Sequence, residues 1–109
     1  MFIVIFITAK DQPEAQTIAD QLVGDKLVAC VNIVPAIQSV FWWENKIDRS
    51  AEVLLIAKTK KVLFPKVVQC VKRNHSYSVP EIIAMPIVDG NKDYLKWVSD
   101  SVVKQKKGS

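Results

Sequence analysis

The residues best equipped for chemistry cluster in one short segment, where His75, Tyr77 and Glu81 fall within seven positions beside Pro80. An imidazole, a phenol and a carboxylate this close together would line a polar pocket wall, able to exchange hydrogen bonds or ligate a cation. His75 is the single histidine, so no His-pair catalytic or zinc site can be assembled within one chain, although several copies could bring donors together. Taken alone, a histidine at a helix end reads as a cap or a hydrogen-bonded loop residue. Lys58 and Thr59 close an apolar run, where a lysine ordinarily snorkels at a sheet edge. Cys30 and Cys70 stand 40 residues apart, which excludes a CxxC redox or zinc motif and offers no disulfide framework; both read as small buried hydrophobes. Gly24, Gly90 and Gly108 are isolated, so there is no Gly-rich phosphate loop.

The elements that must position these groups follow from periodicity. Residues 2–8 (FIVIFIT) form a continuous run of β-branched and aromatic side chains, the pattern of a central strand covered on both faces. Asp11 can cap a helix in which Pro13 sits in the first turn, Glu14 completes a capping-box spacing, Ala15, Ile18, Ala19 and Leu22 form one apolar face, and Gly24 marks the end. A long uncharged run over 27–43 is extended but interrupted at Pro35, which predicts a bulge or bend. At ~3.3 Å per residue it would span roughly 55 Å, well beyond a typical strand of ~17–20 Å, so it must leave the body of the domain. Residues 44–50 read as a polar turn and 51–59 (AEVLLIAKT) as the returning strand, making a hairpin arm tipped by Phe41, Trp42 and Trp43. An isolated two-stranded arm carrying three aromatics calls for a partner surface, and a second copy of the chain supplies one.

A second helix is predicted over 62–74, with Pro65 in its first turn and Phe64, Val67, Val68 and Val71 on its inner face. Residues 75–81 read as a loop, 82–88 as an edge strand broken by Pro86, and Asn91 as the cap of a third helix with Leu95, Val98 and Val102 in its stripe. The order β-α-β-β-α-β plus a C-terminal helix is an α+β, ferredoxin-like arrangement, expected as a single domain over 1–109.

The net charge of +4 hides a strong asymmetry. Residues 58–73 carry six basic and no acidic groups, while 1–57 carry four basic and seven acidic ones. That pattern suits a solvated basic helix and lysine tail better than a nucleic-acid footprint. The strands show no RNP aromatics for RNA, and the turn at Ala9, Lys10 and Asp11 lacks the paired thiols of a metallochaperone. With no basic leader and no run of ~20 apolar residues, a cytoplasmic address is expected.

Five ordered blocks together resemble the CutA divalent-cation tolerance family, nearly from end to end. They are Leu27-Val28-Ala29-Cys30-Val31-Asn32; Ser39 with Trp43-Glu44 and Lys46-Ile47; Glu52 with Leu55 and Lys58-Thr59; His75, Tyr77, Val79, Pro80, Glu81 and Ile82; and Tyr94-Leu95 with Trp97. The resemblance implies a non-enzymatic, ferredoxin-like homotrimer, similar to nitrogen-regulatory signal proteins, whose hairpins reach onto neighbours. Phe41, Trp42 and Trp43 would then be trimer contacts. It further implies a role in the response to metal ions, with binding of Cu(II) or another divalent cation that folding does not require. The implied ligand cleft lies between subunits, at the Cys30, Lys58, Tyr77 and Glu81 positions. Two departures stand out: Ser76 replaces the family's usual Pro, and Asn45 its usual turn Gly. The copper-site positions of some relatives fall here on Ile7, Asn74 and His75, which leaves His75 as the metal candidate. The alternative is a trimeric signal-transduction or membrane-protein regulator that binds a small anion in the cleft with Lys58 supplying charge; no specific nucleic acid is expected.

Overall fold

In a computed structural model that describes residues 1–104, the opening apolar run becomes strand β1 (Phe2–Ala9). Its side chains alternate between faces, as strand geometry dictates. Ile3, Ile5, Ile7 and Ala9 are buried, whereas Phe2, Val4 and Phe6 are only partly covered. Helix α1 (Gln12–Gly24) begins where Asp11 Oδ1 accepts the Glu14 N–H at 2.9 Å, with Pro13 in the first turn. The anticipated capping box is altered: Glu14 reaches back to the Lys10 N–H at 3.0 Å, one residue before the cap.

The extended run begins at Cys30 rather than Leu27. Leu27 and Val28 are instead buried in the connection from α1, with the Leu27 N–H on the Leu22 carbonyl (3.0 Å) and the Ala29 N–H on the Lys58 carbonyl (2.8 Å). Strand β2 (Cys30–Trp43) then pairs antiparallel with β3 (Lys46–Lys60). The turn expected over 44–50 contracts to Glu44 and Asn45, whose φ values of 50° and 65° make a tight two-residue hairpin of primed type. Residues 46–49, Ile47 apart, are polar because both faces of the arm are exposed there, and the backbone of 46–50 remains in the ladder. Pro35 marks the anticipated bulge: the register shifts between Val34 and Ile37, and Ala36 takes φ 62°. The longest dimension of the molecule, 45 Å, matches the ~50 Å expected of a 15-residue strand.

A short turn of 3-10 helix (Lys61–Leu63) leads into α2 (Phe64–Asn74). Strand β4 (Ile82–Pro86) stops at its proline, two residues short of the predicted end. Asn91 caps α3 (Lys92–Ser101), its side-chain oxygen accepting the Asp93 N–H at 2.9 Å. The strand order is β2-β3-β1-β4, all antiparallel, with β4 at the edge as expected. Ile18 and Leu22 of α1, with Val67 and Val71 of α2, share one core with Ile5, Ile7, Leu55 and Ala57 of the sheet. The result is the ferredoxin-like α+β arrangement, extended by α3.

The second sheet face departs from expectation. Register places Phe6 opposite Ile56 and Ile83, and Val4 opposite Met85, with Leu54 at the same parity, so these apolar side chains share the side away from the core. Ile83 and Met85 are 54% and 55% exposed. The sequence of β1 asks for cover on both faces, and within one chain the second face is covered only at the end where Tyr94 of α3 meets Cys30.

Candidate functional site

The loop after α2 is pinned by His75, whose side chain is fully buried. Nε2 donates to the Thr8 carbonyl at 2.7 Å, and Nδ1 accepts the Tyr77 N–H at 3.0 Å. This pattern fixes the neutral tautomer with its proton on Nε2. Glu14 completes the clamp: one carboxylate oxygen accepts the Ser76 N–H at 2.8 Å, and the other lies 3.8 Å from His75 Nδ1. Burial pushes the Glu14 carboxyl up, but the Lys10 and Ser76 N–H bonds outweigh it and hold the group below its ordinary value. The position expected to hold a metal therefore has both ring nitrogens occupied within the protein. The alternative reading of a hydrogen-bonded loop histidine describes its geometry.

The clamp aims Tyr77 across the sheet. Its ring lies 4.8 Å from that of His75, and its hydroxyl donates to Glu52 Oε2 at 2.9 Å. Tyr77, Glu52 and Glu81 line a groove of about 640 Å³ that runs onto the arm past Ser39, Phe41 and Trp43. Glu52 had no assigned role in the sequence, although an acid at the parity of Leu54 and Ile56 in an apolar strand was a signal of a buried polar partner. It is itself buried.

Cys30 and Lys58 sit elsewhere. They are directly opposed in the β2–β3 register, and Lys58 lies six residues along β3 from Glu52, or roughly 20 Å at ~3.3 Å per residue. Lys58 Nζ donates to Asn32 Oδ1. Cys30 is partly exposed rather than buried, with its sulfur 3.5 Å from the Tyr94 hydroxyl, while Cys70 is fully buried as anticipated. The four cleft residues thus form two separate pairs in one chain. Among the described residues no three of His, Cys, Asp and Glu gather closely enough to hold a metal ion, so one chain does not by itself fit a closed divalent-cation site.

A family model described as CutA1 divalent ion tolerance protein matches residues 3–101, spanning β1 to the end of α3. The chain belongs to that family. Among CutA relatives, the divalent-cation tolerance protein CutA of Thermus thermophilus is 44% identical over 98 residues, covering 90% of this chain and 95% of its own. The chloroplastic CutA 1 of Oryza sativa is 46% identical over 99 residues, or 91% of this chain, but the match spans only 56% of that longer protein. Solved CutA structures superpose closely: a Thermus thermophilus divalent cation tolerance protein has a TM-score of 0.93 at 43% identity, covering 94% of this chain and all (100%) of its own. The periplasmic divalent cation tolerance protein CutA of Archaeoglobus fulgidus has a TM-score of 0.92 at 46% identity, with 94% and 100% covered.

In this CutA chain the two site tyrosines give the pairs a pH signature. Burial, reinforced by the Glu52 carboxylate, pushes Tyr77 up to about 12; the bond to Cys30, then burial, pushes Tyr94 up to about 12. An unfolded tyrosine titrates near ~10, so the folded state keeps these protons longer. Their stabilisation is complete below pH ~10 and is lost as pH rises from there toward 12. We expect the urea midpoint to decline over that window and the decline to be shallower in Tyr77→Phe. An equally steep decline in a Tyr77→Phe, Tyr94→Phe double variant would remove both tyrosines as its cause.

Proposed function

We propose that the chain works as a non-enzymatic homotrimer that contributes to divalent-cation tolerance by binding a divalent cation, Cu(II) among them, in clefts completed between copies. The family match over residues 3–101 carries this reading. Assembly is supported by the half-covered sheet face and by the arm, where Trp42 is 72% exposed beside Phe41 and Trp43. Contiguous apolar surface of this kind is uncommon on monomers. Binding between copies is supported by the donor geometry: Glu52 and Glu81 line the groove, and further ligands must come from a neighbour. The cytoplasm is the proposed location, supported by the free thiols of Cys30 and Cys70.

Titration calorimetry of the assembled protein with Cu(II) tests the cation half. Saturable binding is expected in the wild type and should fall in Glu81→Gln, which alters the groove and leaves the His75 clamp intact. No heat in the wild type would end the cation reading, and undiminished binding in Glu81→Gln would move the cation away from this groove. A small anionic ligand is the second reading, favoured by Lys58 on the open sheet face beside Asn32 and Cys30, with no carboxylate within 4.0 Å among the described residues. A rise in melting temperature with nucleotides or carboxylate metabolites, absent in Lys58→Ala, would support it.

A further inference from the structure

We infer that the outer face of α2, with the turn leading into it, is a docking surface for an anionic lipid bilayer. Lys61, Lys66, Lys72 and Arg73 are all exposed there, and among the described residues no carboxylate comes within 4.0 Å of any of them. Asp25 acts on Cys70 of the same helix, Asp100 is ion-paired with Lys96 at 2.7 Å and also feels Lys60 and Lys104, and Glu14 of α1 sits at the C-terminal end of α2 on the Ser76 N–H. Val67, Cys70 and Val71 are buried on the opposite side of the helix, so the cations are held on a rigid ridge. From residue 61 to 73 it runs ~18 Å at ~1.5 Å per residue.

Composition selects the partner. Five of the six basic residues over 58–73 are lysines, point charges suited to headgroups rather than the bidentate forks that read phosphate and base edges. No aromatic ring stands on the exposed face to stack a base, and the one exposed large apolar residue is Val62, 58% exposed beside Lys61, a placement suited to the interfacial zone of a bilayer. Helix α1 packs beside α2 and carries Glu14 and Asp20, so contact with the bilayer rests on the ridge itself and not on the net charge of the helix layer.

Co-sedimentation of the full chain with vesicles, without added divalent cation, separates this surface from the cation reading. Binding is expected to phosphatidylcholine vesicles that contain phosphatidylserine, to be absent on phosphatidylcholine alone, and to disappear at high salt. Replacing Lys61, Lys66 and Arg73 together by Ala should weaken it about 100-fold with an unchanged circular dichroism spectrum, and Lys66→Glu alone should weaken it in the same direction. Equal binding to both vesicle types, or unchanged binding in the triple variant, would overturn the proposal. So would preferential retention on duplex DNA that strips the protein from vesicles, which would assign the ridge to nucleic acid.

Discussion

Ile56→Asp should leave the chain folded and turn it into a monomer. Ile56 lies on the open sheet face, opposite Phe6 on one side and Asn32 on the other, and is only half-buried in one chain. A carboxylate there stays solvated as long as the chain is alone. Once a second copy covers the face, each aspartate loses water with only the Asn32 amide and the Lys58 ammonium near it, which repays the desolvation of a buried ion only in part, and the symmetry of a closed oligomer repeats that cost in every subunit. Sedimentation should register the single-chain mass with a circular dichroism spectrum unchanged from wild type. Leu55→Ala, one residue away on the buried face, should behave oppositely, losing ~2–5 kcal/mol of stability without a specific effect on association. An Ile56→Asp protein that still assembles would place the interface elsewhere.

His75→Ala should be among the most destabilising substitutions outside the apolar core, by ~2–4 kcal/mol. It strands the Thr8 carbonyl and the Tyr77 N–H, and an unpaired buried polar group costs ~1–3 kcal/mol. Partial entry of water into the space left by the ring offsets some of that. The damage should spread along the loop, because Tyr77 depends on the same clamp to reach Glu52. Urea unfolding measures the loss, which is large beside total stabilities of ~5–15 kcal/mol. A change below ~0.5 kcal/mol would mean that the clamp holds nothing in place.

The parts of the fold that local chemistry controls were legible. Asp11 and Asn91 announced two helix starts through capping, Pro35 announced the bulge, and the element order implied the ferredoxin-like sheet. The overlong arm was visible from length alone. Its turn was misjudged because the polarity of 46–50 signals exposure, which a two-sided arm has along its whole end, and not only a turn. The site was less legible, since its contacts cross long stretches of chain. Tyr77 meets Glu52 across 25 positions, and His75 meets Thr8 across 67. Spacing gave the chemical types near His75 but not the fact that both of its nitrogens would be spent on backbone. The separation of Cys30 and Lys58 from Tyr77 and Glu81 was likewise set by strand register. The most telling residue pattern was the plainest: FIVIFIT is apolar on both faces, and only one face finds full cover within the chain.

That unfinished cover makes assembly the point on which the cleft, the arm and the cation reading all turn. Native mass spectrometry of the purified chain at micromolar concentration measures it directly. Three copies of a 12.3 kDa chain should appear at about 37 kDa and persist on dilution. A dominant species at 12.3 kDa would contradict a cleft completed between copies.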